Sequence, residues 1–187
     1  FAARTGLLFV GRLMDPQSPN GDSLRWFVRE VLPRLRPLLG EACRVDFVGE
    51  CHPDLARELD GAGLCFHGRV PDIAHFYASA RVFIAPTRFA AGIAHKVHEA
   101  AARGVPVVAT SLIAGQLGWR DGVELLAADD PDAYARAVAR LYRDGALWES
   151  LRAGALQAVA RDCDPRAFTE TLDRALRDAA LAARRAD

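Results

Sequence analysis

The chain is poor in lysine. Of 24 cationic residues only Lys96 is lysine, and the other 23 are arginine, a bias that fits a GC-rich genome. Neither sign of charge is in surplus: 24 acidic residues balance the 24 basic ones, for a formal net charge of +0. Nucleic-acid-binding domains normally carry a basic excess, so that class is disfavoured, although a local basic pocket is not. No apolar run approaches the ~20 residues that a membrane span needs, and there is no signal-peptide core. The four cysteines, Cys43, Cys51, Cys65 and Cys163, form no CxxC pair. His52 beside Cys51 lacks a second pair at ligand spacing, so no metal site is read and the thiols are expected to be reduced, as in the cytosol. GxGxxG is missing, which argues against a dinucleotide dehydrogenase, and so is the GxSxG nucleophile elbow. The five histidines complete no triad, and no low-complexity segment is present.

What remains is a regular alternation. The 187 residues, 51% of them hydrophobic, suffice for one domain with a substantial core. Short apolar runs that read as buried strands lie at 7–10, 44–49, 64–67, 82–86 and 105–109, with a weaker sixth at 124–127. Helical spacing of apolar residues predicts a helix over about 22–39, a short one over 53–60 opened by Pro53, and one after Asp72. A fourth is expected over about 93–103, stopped by Gly104. The stretch Asp15 to Asp22 reads as a loop. Asp130-Pro131 and Asp164-Pro165 each place an N-cap before a first-turn proline, opening helices at about 131–144 and 165–184 with another at 146–161 between them. Apolar strands that do not alternate, each followed by a helix, predict a Rossmann-like doubly wound α/β domain. Its parallel sheet of about six strands would be covered on both faces.

In such a sheet ligands bind beyond the carboxyl ends of the strands, where helix N-termini present free N–H groups. Four segments fall there: Gly11-Arg12, Gly49-Glu50, Gly68-Arg69-Val70, and Thr87 to His95. The last is the richest. Its small residues and Gly92 allow close approach to backbone, and the helix start offers partial positive charge suited to a diphosphate. Arg12, Arg88 and Lys96 could add full charges. Glu99, two turns into the helix and about 10 Å along its axis, could hold a ribose diol. Taken alone, an arginine at a strand end or a glutamate in mid-helix is more often a solvated surface group. His95 is the better histidine for a phosphate or sugar contact, while His98 reads as incidental.

The segment from Arg88 to Thr110, RFAAGIAHKVHEAAARGVPVVAT, resembles the donor-site signature of group 1 glycosyltransferases of the GT-B fold. The block from Lys96 to Thr110 is the specific part. Phe9 to Leu13, Phe47 to Gly49, Phe66 to Pro71 and Asp121 to Leu126 resemble the family at the expected places. The resemblance implies a lobe that binds a nucleoside-diphosphate sugar. Glu99 would take the ribose, Arg12 a phosphate, and Lys96 would lie in the helix facing the diphosphate. Arg69 and Val70 would frame the base, while Ala91, Gly92 and Ile93 would form the turn near sugar and diphosphate. Gly11 belongs to the first glycine turn. Many relatives carry an acidic residue eight positions before the ribose carboxylate, where this chain has Ala91, and the branch with a Gly-Ala-Gly turn has Gly and Lys where Ala90 and Ala94 stand here. A lysine common in the loop after the first strand is missing as well.

The expectation is therefore the donor-binding half of a transferase, with catalysis resting on stabilisation of developing negative charge. Residues 1–187 would form one domain. The chain opens at Phe1 without Met, which reads as an excised segment lacking the acceptor-binding N-terminal domain. The last helix, 165–187, would pack on that missing lobe, and the segment alone would be inactive. No cofactor or metal is expected. The partners would be a nucleotide-sugar donor and the chain's own N-terminal domain, with no nucleic acid. The expected location is the cytoplasm, with peripheral contact at the inner membrane face for the full-length protein. The alternatives are a non-catalytic nucleotide-sugar-binding scaffold and a sugar-nucleotide epimerase on the same architecture.

Overall fold

A computed structural model describes residues 1–40, 43–60, 63–90, 92 and 94–186, with side chains to residue 179. Six strands form one sheet: β1 (Leu7–Val10), β2 (Val45–Val48), β3 (Leu64–Phe66), β4 (Val82–Ala85), β5 (Val107–Ala109) and β6 (Leu126–Ala127). All neighbours pair in parallel, in the order β3-β2-β1-β4-β5-β6. Alternate strand residues enter opposite cores. Leu7, Phe9, Val45, Phe47, Val82 and Ile84 face one, while Leu8, Val48, Phe83, Ala85, Val107 and Ala109 face the other. Because both faces are covered, the strands read as continuous apolar runs. The doubly wound α/β architecture is as the sequence predicts.

Helices α1 (Pro19–Trp26), α2 (Leu32–Leu39) and α7 (Pro131–Arg143) cover the first face. Helices α4 (Ala74–Ser79), α5 (His95–Ala102), α6 (Ser111–Leu117) and α8 (Gly145–Asp162) contribute to the second. Helix α3 (Pro53–Glu58) follows β2, and α9 (Pro165–Ala186) ends the chain. The Tyr134 hydroxyl is buried at the β4–β5 seam, donating to the Val108 carbonyl at 2.6 Å and accepting from the Ala85 N–H at 3.2 Å.

Three elements differ from expectation. The helix expected over about 22–39 begins earlier, at Pro19, where Ser18 accepts from the Gly21 N–H at 3.2 Å and Pro19 occupies the first turn. Half of the presumed loop is thus helix. The same helix is interrupted by a π-turn, Phe27–Val31, in which the Leu32 N–H reaches back to the Phe27 carbonyl. Pro33 donates no N–H and its ring excludes the carbonyl of residue 29, so the widened turn relieves a clash that an unbroken α-helix would contain. Helix α6 was not anticipated. It stops at Gly118, which is left-handed at φ 65°, and the Ser111 N–H at its start is met by Asp129 Oδ1 at 2.8 Å.

Smaller differences are at cap level. Asp72 does not cap α4 directly: Ile73 is the N-cap, and Asp72 Oδ1 accepts from the Ala74 N–H at 2.8 Å. Asp130 and Asp164 accept from Ala133 and Arg166 N–H groups at 2.9 Å, as helix-start residues should. The four cysteines are free thiols. Among the described residues, no helix is long and apolar enough to cross a membrane.

Candidate functional site

The strand order changes direction between β1 and β4, and parallel α/β sheets bind ligands beyond such a switch point. The turns after β1, β2 and β3 are tied together there. Gly11 N–H donates to Val48 O at 3.1 Å, Leu13 N–H to Glu50 O at 2.8 Å, and Gly49 N–H to Gly68 O at 2.9 Å. Gly49 has φ +139°, and a Cβ on it would lie 1.9 Å from the Gly11 carbonyl oxygen. Only glycine lets these two turns close on each other.

Two clefts open on this edge and share Val10 and Gly11. The first, of about 430 Å³, lies beyond β1, β2 and β3, between Arg12, Glu50, Arg69, Val70 and Ile73. Its walls are mainly apolar. Its cations sit on the rim: Arg12 is 74% exposed and Arg69 is 84% exposed, and both approach Glu50, at 2.9 and 3.9 Å. The second, of about 380 Å³, lies beyond β1 and β4 and is lined by Asn20, Thr87, Ala90, Gly92, His95, Lys96 and Gln116 among others. Both volumes are in the range of small-ligand sites.

Lys96 is the centre of the second cleft. It is half-buried, and its ammonium donates to Asn20 Oδ1 at 2.6 Å and lies 4.9 Å from the Phe9 ring centroid. Among the described residues no carboxylate pairs with it. Burial alone pulls the Lys96 ammonium down to about 8. Asn20 in turn donates to the Arg12 carbonyl at 3.2 Å, so it joins the turn after β1 to α5. Helix α1 is held against the end of β4 by Ser23 and Thr87, whose hydroxyls are 3.3 Å apart. Among the described residues the α5 N-terminus has no side-chain cap, and an uncapped helix start is suited to an anion. Gly92, with φ +90° and nothing within 4 Å of a notional Cβ, leaves the approach to that helix open.

The other predicted site residues fall in different places. Gly11, Arg12, Arg69 and Val70 line the first cleft, and Gly11, Gly92, His95 and Lys96 the second. Ala91 and Ile93 lie outside the described residues. Arg88 turns away from both clefts. It pairs with Asp22 and stands over Trp26, in a depression shared with Arg25, Arg29 and Pro131. In this structure it ties α1 to the loop after β4 through Asp22. Glu99 stands one turn beyond Lys96 on α5 and is held by Arg103, with Oε1 3.2 Å from Nη2. It is 44% exposed and lines neither cleft in this state. The residues at 96, 99 and 103 share one face of the helix. Asn20 and Gln116, both lining the second cleft, were not anticipated. The capping sequence Ser18-Pro19 and the stop at Gly118 were the available signals for their helices.

Residues 4–144 match the domain family described as glycosyl transferases group 1. The chain belongs to that family. A D-inositol 3-phosphate glycosyltransferase of Catenulispora acidiphila is similar to it at 36% identity over 171 residues, covering 82% of this chain and 40% of the relative. The chain thus spans 40% of the length of the curated relative it matches. Among solved structures, the Anabaena protein Alr3699/HepE, crystallised with UDP and glucose, superposes with a TM-score of 0.75 at 17% identity, covering 95% of this chain and 49% of that one. The C-terminal domain of a group 1 glycosyl transferase, LpcC of Francisella tularensis, superposes with a TM-score of 0.66 at 16% identity, covering 84% of this chain and 85% of that domain. At these identities the likeness to solved structures is one of fold. The Rossmann-like lobe of this glycosyltransferase family is the architecture described above.

Proposed function

We propose that this chain is the donor-binding half of a glycosyltransferase. It takes a nucleoside-diphosphate sugar, and the sugar passes to an acceptor held by an N-terminal domain outside these residues. The observation that carries the reading is Lys96: a desolvated ammonium without a carboxylate, beside an uncapped helix N-terminus, at the switch point of the sheet. A diphosphate supplies the missing negative charge. When the bond from sugar to diphosphate breaks, charge grows on the leaving phosphate oxygens, and the same groups stabilise it without reorganising. His95 lies at the mouth of that helix, within reach of phosphate or sugar.

The first cleft would take the nucleoside. Its apolar floor suits a base framed by Arg69 and Val70, with Arg12 at the phosphate side. Glu99 would exchange Arg103 for the two ribose hydroxyls. The backbone at Ala91, Gly92 and Ile93 would border the sugar, and no cofactor or metal has a part in this scheme. The face of α9 that carries Phe168, Leu172 and Leu176, 46–68% exposed, would pack on the N-terminal domain. With the acceptor side elsewhere, this segment alone would not transfer sugar, because the reaction needs both partners held in place. In the same reading the full-length protein works in the cytoplasm, touching the inner face of the membrane.

Calorimetric titration of the chain with uridine, guanosine and adenosine diphosphates and their sugar conjugates tests the reading. Binding of one of them, lost in Lys96→Ala, is the expected result. Failure of all to bind would overturn it.

A further inference from the structure

An ammonium carries three N–H donors. Among the described residues the Lys96 ammonium uses one of them, on Asn20 Oδ1 at 2.6 Å, and it stands 4.9 Å from the Phe9 ring centroid. Both ends of the Asn20 amide are fixed by their neighbours. Lys96 can only donate, so it meets the oxygen. The Arg12 carbonyl, 3.2 Å from Nδ2, can only accept, so it meets the nitrogen.

Three features hold Asn20 in that place. It is the second residue of α1, whose start is capped by Ser18 and opened by Pro19. Ser23 and Thr87 tie the same helix to the end of β4. Its amide also lies against Gly11, where an added Cβ would come within 3.2 Å of Nδ2. A neutral acceptor has a property that neither a carboxylate nor an apolar group shares. It favours the ammonium over the free amine, yet leaves the positive charge uncancelled. A carboxylate would compete with any phosphate for the ammonium. An apolar side chain would leave the desolvated ammonium to shed its proton or swing away.

We infer that Asn20 is a positioning residue for the diphosphate: its amide holds the Lys96 ammonium in the second cleft with its charge uncancelled, leaving two N–H donors for phosphate oxygens. The inference rests on the donor-binding reading above and adds the residue on which Lys96 depends. Through the Arg12 carbonyl, the same amide joins the turn that borders the first cleft to the cation of the second. Besides Lys96, the titratable side chain that lines the second cleft among the described residues is His95, on the same helix. Of the charged side chains on the adjoining elements, Arg12 pairs with Glu50 and Arg88 with Asp22.

Lys96 is the one lysine of the chain, so carbon-13 labelling of lysine gives a single side-chain NMR signal that reports its titration without a ligand. The parent signal should titrate at about 8. Asn20→Leu should release the proton more readily, whereas Asn20→Asp should hold it at least about tenfold more tightly. Both variants should nevertheless bind inorganic pyrophosphate about five- to tenfold more weakly than the parent in calorimetric titrations near pH 7.5, one through a lost hydrogen bond and the other through a competing counter-ion. Opposite changes in proton affinity with the same change in ligand affinity are the signature of this role, since a merely structural one would not split the two titrations. Asn20→Asp has the shape of the parent residue and carries the comparison by itself where Asn20→Leu does not fold. Lys96 signals that move in the same direction in both variants or not at all, or variants that bind pyrophosphate as tightly as the parent, overturn the inference while the donor-binding reading stands. A parent that binds neither pyrophosphate nor any nucleoside diphosphate overturns both.

Discussion

The two clefts that meet at Val10 and Gly11 carry their positive charge in opposite ways. In the first, Arg12 and Arg69 stand in solvent and converge on Glu50. In the second, Lys96 is desolvated and its polar partner is the neutral Asn20. An exposed ion pair contributes roughly 0–1 kcal/mol and is screened by salt. A desolvated charge without a counter-ion is a standing cost that only an anion removes. On the proposed reading, charge is stored where the ligand would bring the opposite sign and neutralised where it would not. The scarcity of lysine fits this contrast. Arginine remains charged in almost any setting, whereas a buried ammonium responds to its surroundings.

Lys96→Met should break the contrast with the largest effect. Binding of a nucleoside diphosphate is expected to fall by about 3 kcal/mol, the upper range for hydrogen bonds to charged groups, and the loss should be shared by inorganic pyrophosphate. The same change should stabilise the fold at pH 7. A lysine lowered from 10.5 to about 8 destabilises the folded state by at most about 3 kcal/mol, offset in part by the lost Asn20 bond and Phe9 contact. The sign follows from proton uptake. The unfolded chain binds this proton more tightly, so the penalty is full below pH 8 and fades as pH rises toward 10.5. Denaturant melts of parent and Lys96→Met should therefore differ most near pH 7 and converge near pH 10.

Glu99→Ala should weaken nucleotide binding by about 1.5–3 kcal/mol and leave bare pyrophosphate nearly unaffected, because on the proposed reading the carboxylate would meet ribose and not phosphate. Paired titrations with the two ligands separate the roles. Stability should change little, since the Glu99–Arg103 pair is an exposed helix pair.

The smallest effects belong to the first cleft. Arg12→Ala and Arg69→Ala should each lower nucleotide affinity by less than about 1 kcal/mol, and the loss should vanish in about 0.5 M salt. Glu50→Gln should act with the opposite sign, tightening binding slightly by releasing both arginines. Titrations at low and high salt check all three.

The sheet, its parallel order and the edge where ligands belong were legible because each strand is an uninterrupted apolar run between helix signals. Lys96 and Gly92 were legible for the same reason: they sit where a strand end meets a helix start. Asn20 and Gln116 were not. Asn20 fell in a stretch whose Pro, Ser and Gly read as loop, although Ser18-Pro19 also opens a helix. Gln116 fell in a helix of seven residues between β5 and β6 with only two buried positions, too few to show a period. The pairing of Arg88 with Asp22, sixty-six residues earlier in sequence, was not legible either, because a chain read locally does not reveal such a partner. The dependence of Glu99 on Arg103 was open to inspection through their four-residue spacing.

The central claim is that the Lys96 ammonium supplies the charge that receives a diphosphate. Calorimetric titration of a nucleoside diphosphate between pH 6.5 and 9.5, in parent and Lys96→Met, tests it most directly. With the free lysine at about 8, parent affinity should be level below about pH 7.5 and then fall, to roughly a tenth of its pH 7 value by pH 9. The Lys96→Met profile should be weak and flat over the same interval. A parent profile that stays level through pH 9, or a variant that follows the parent, would contradict the account.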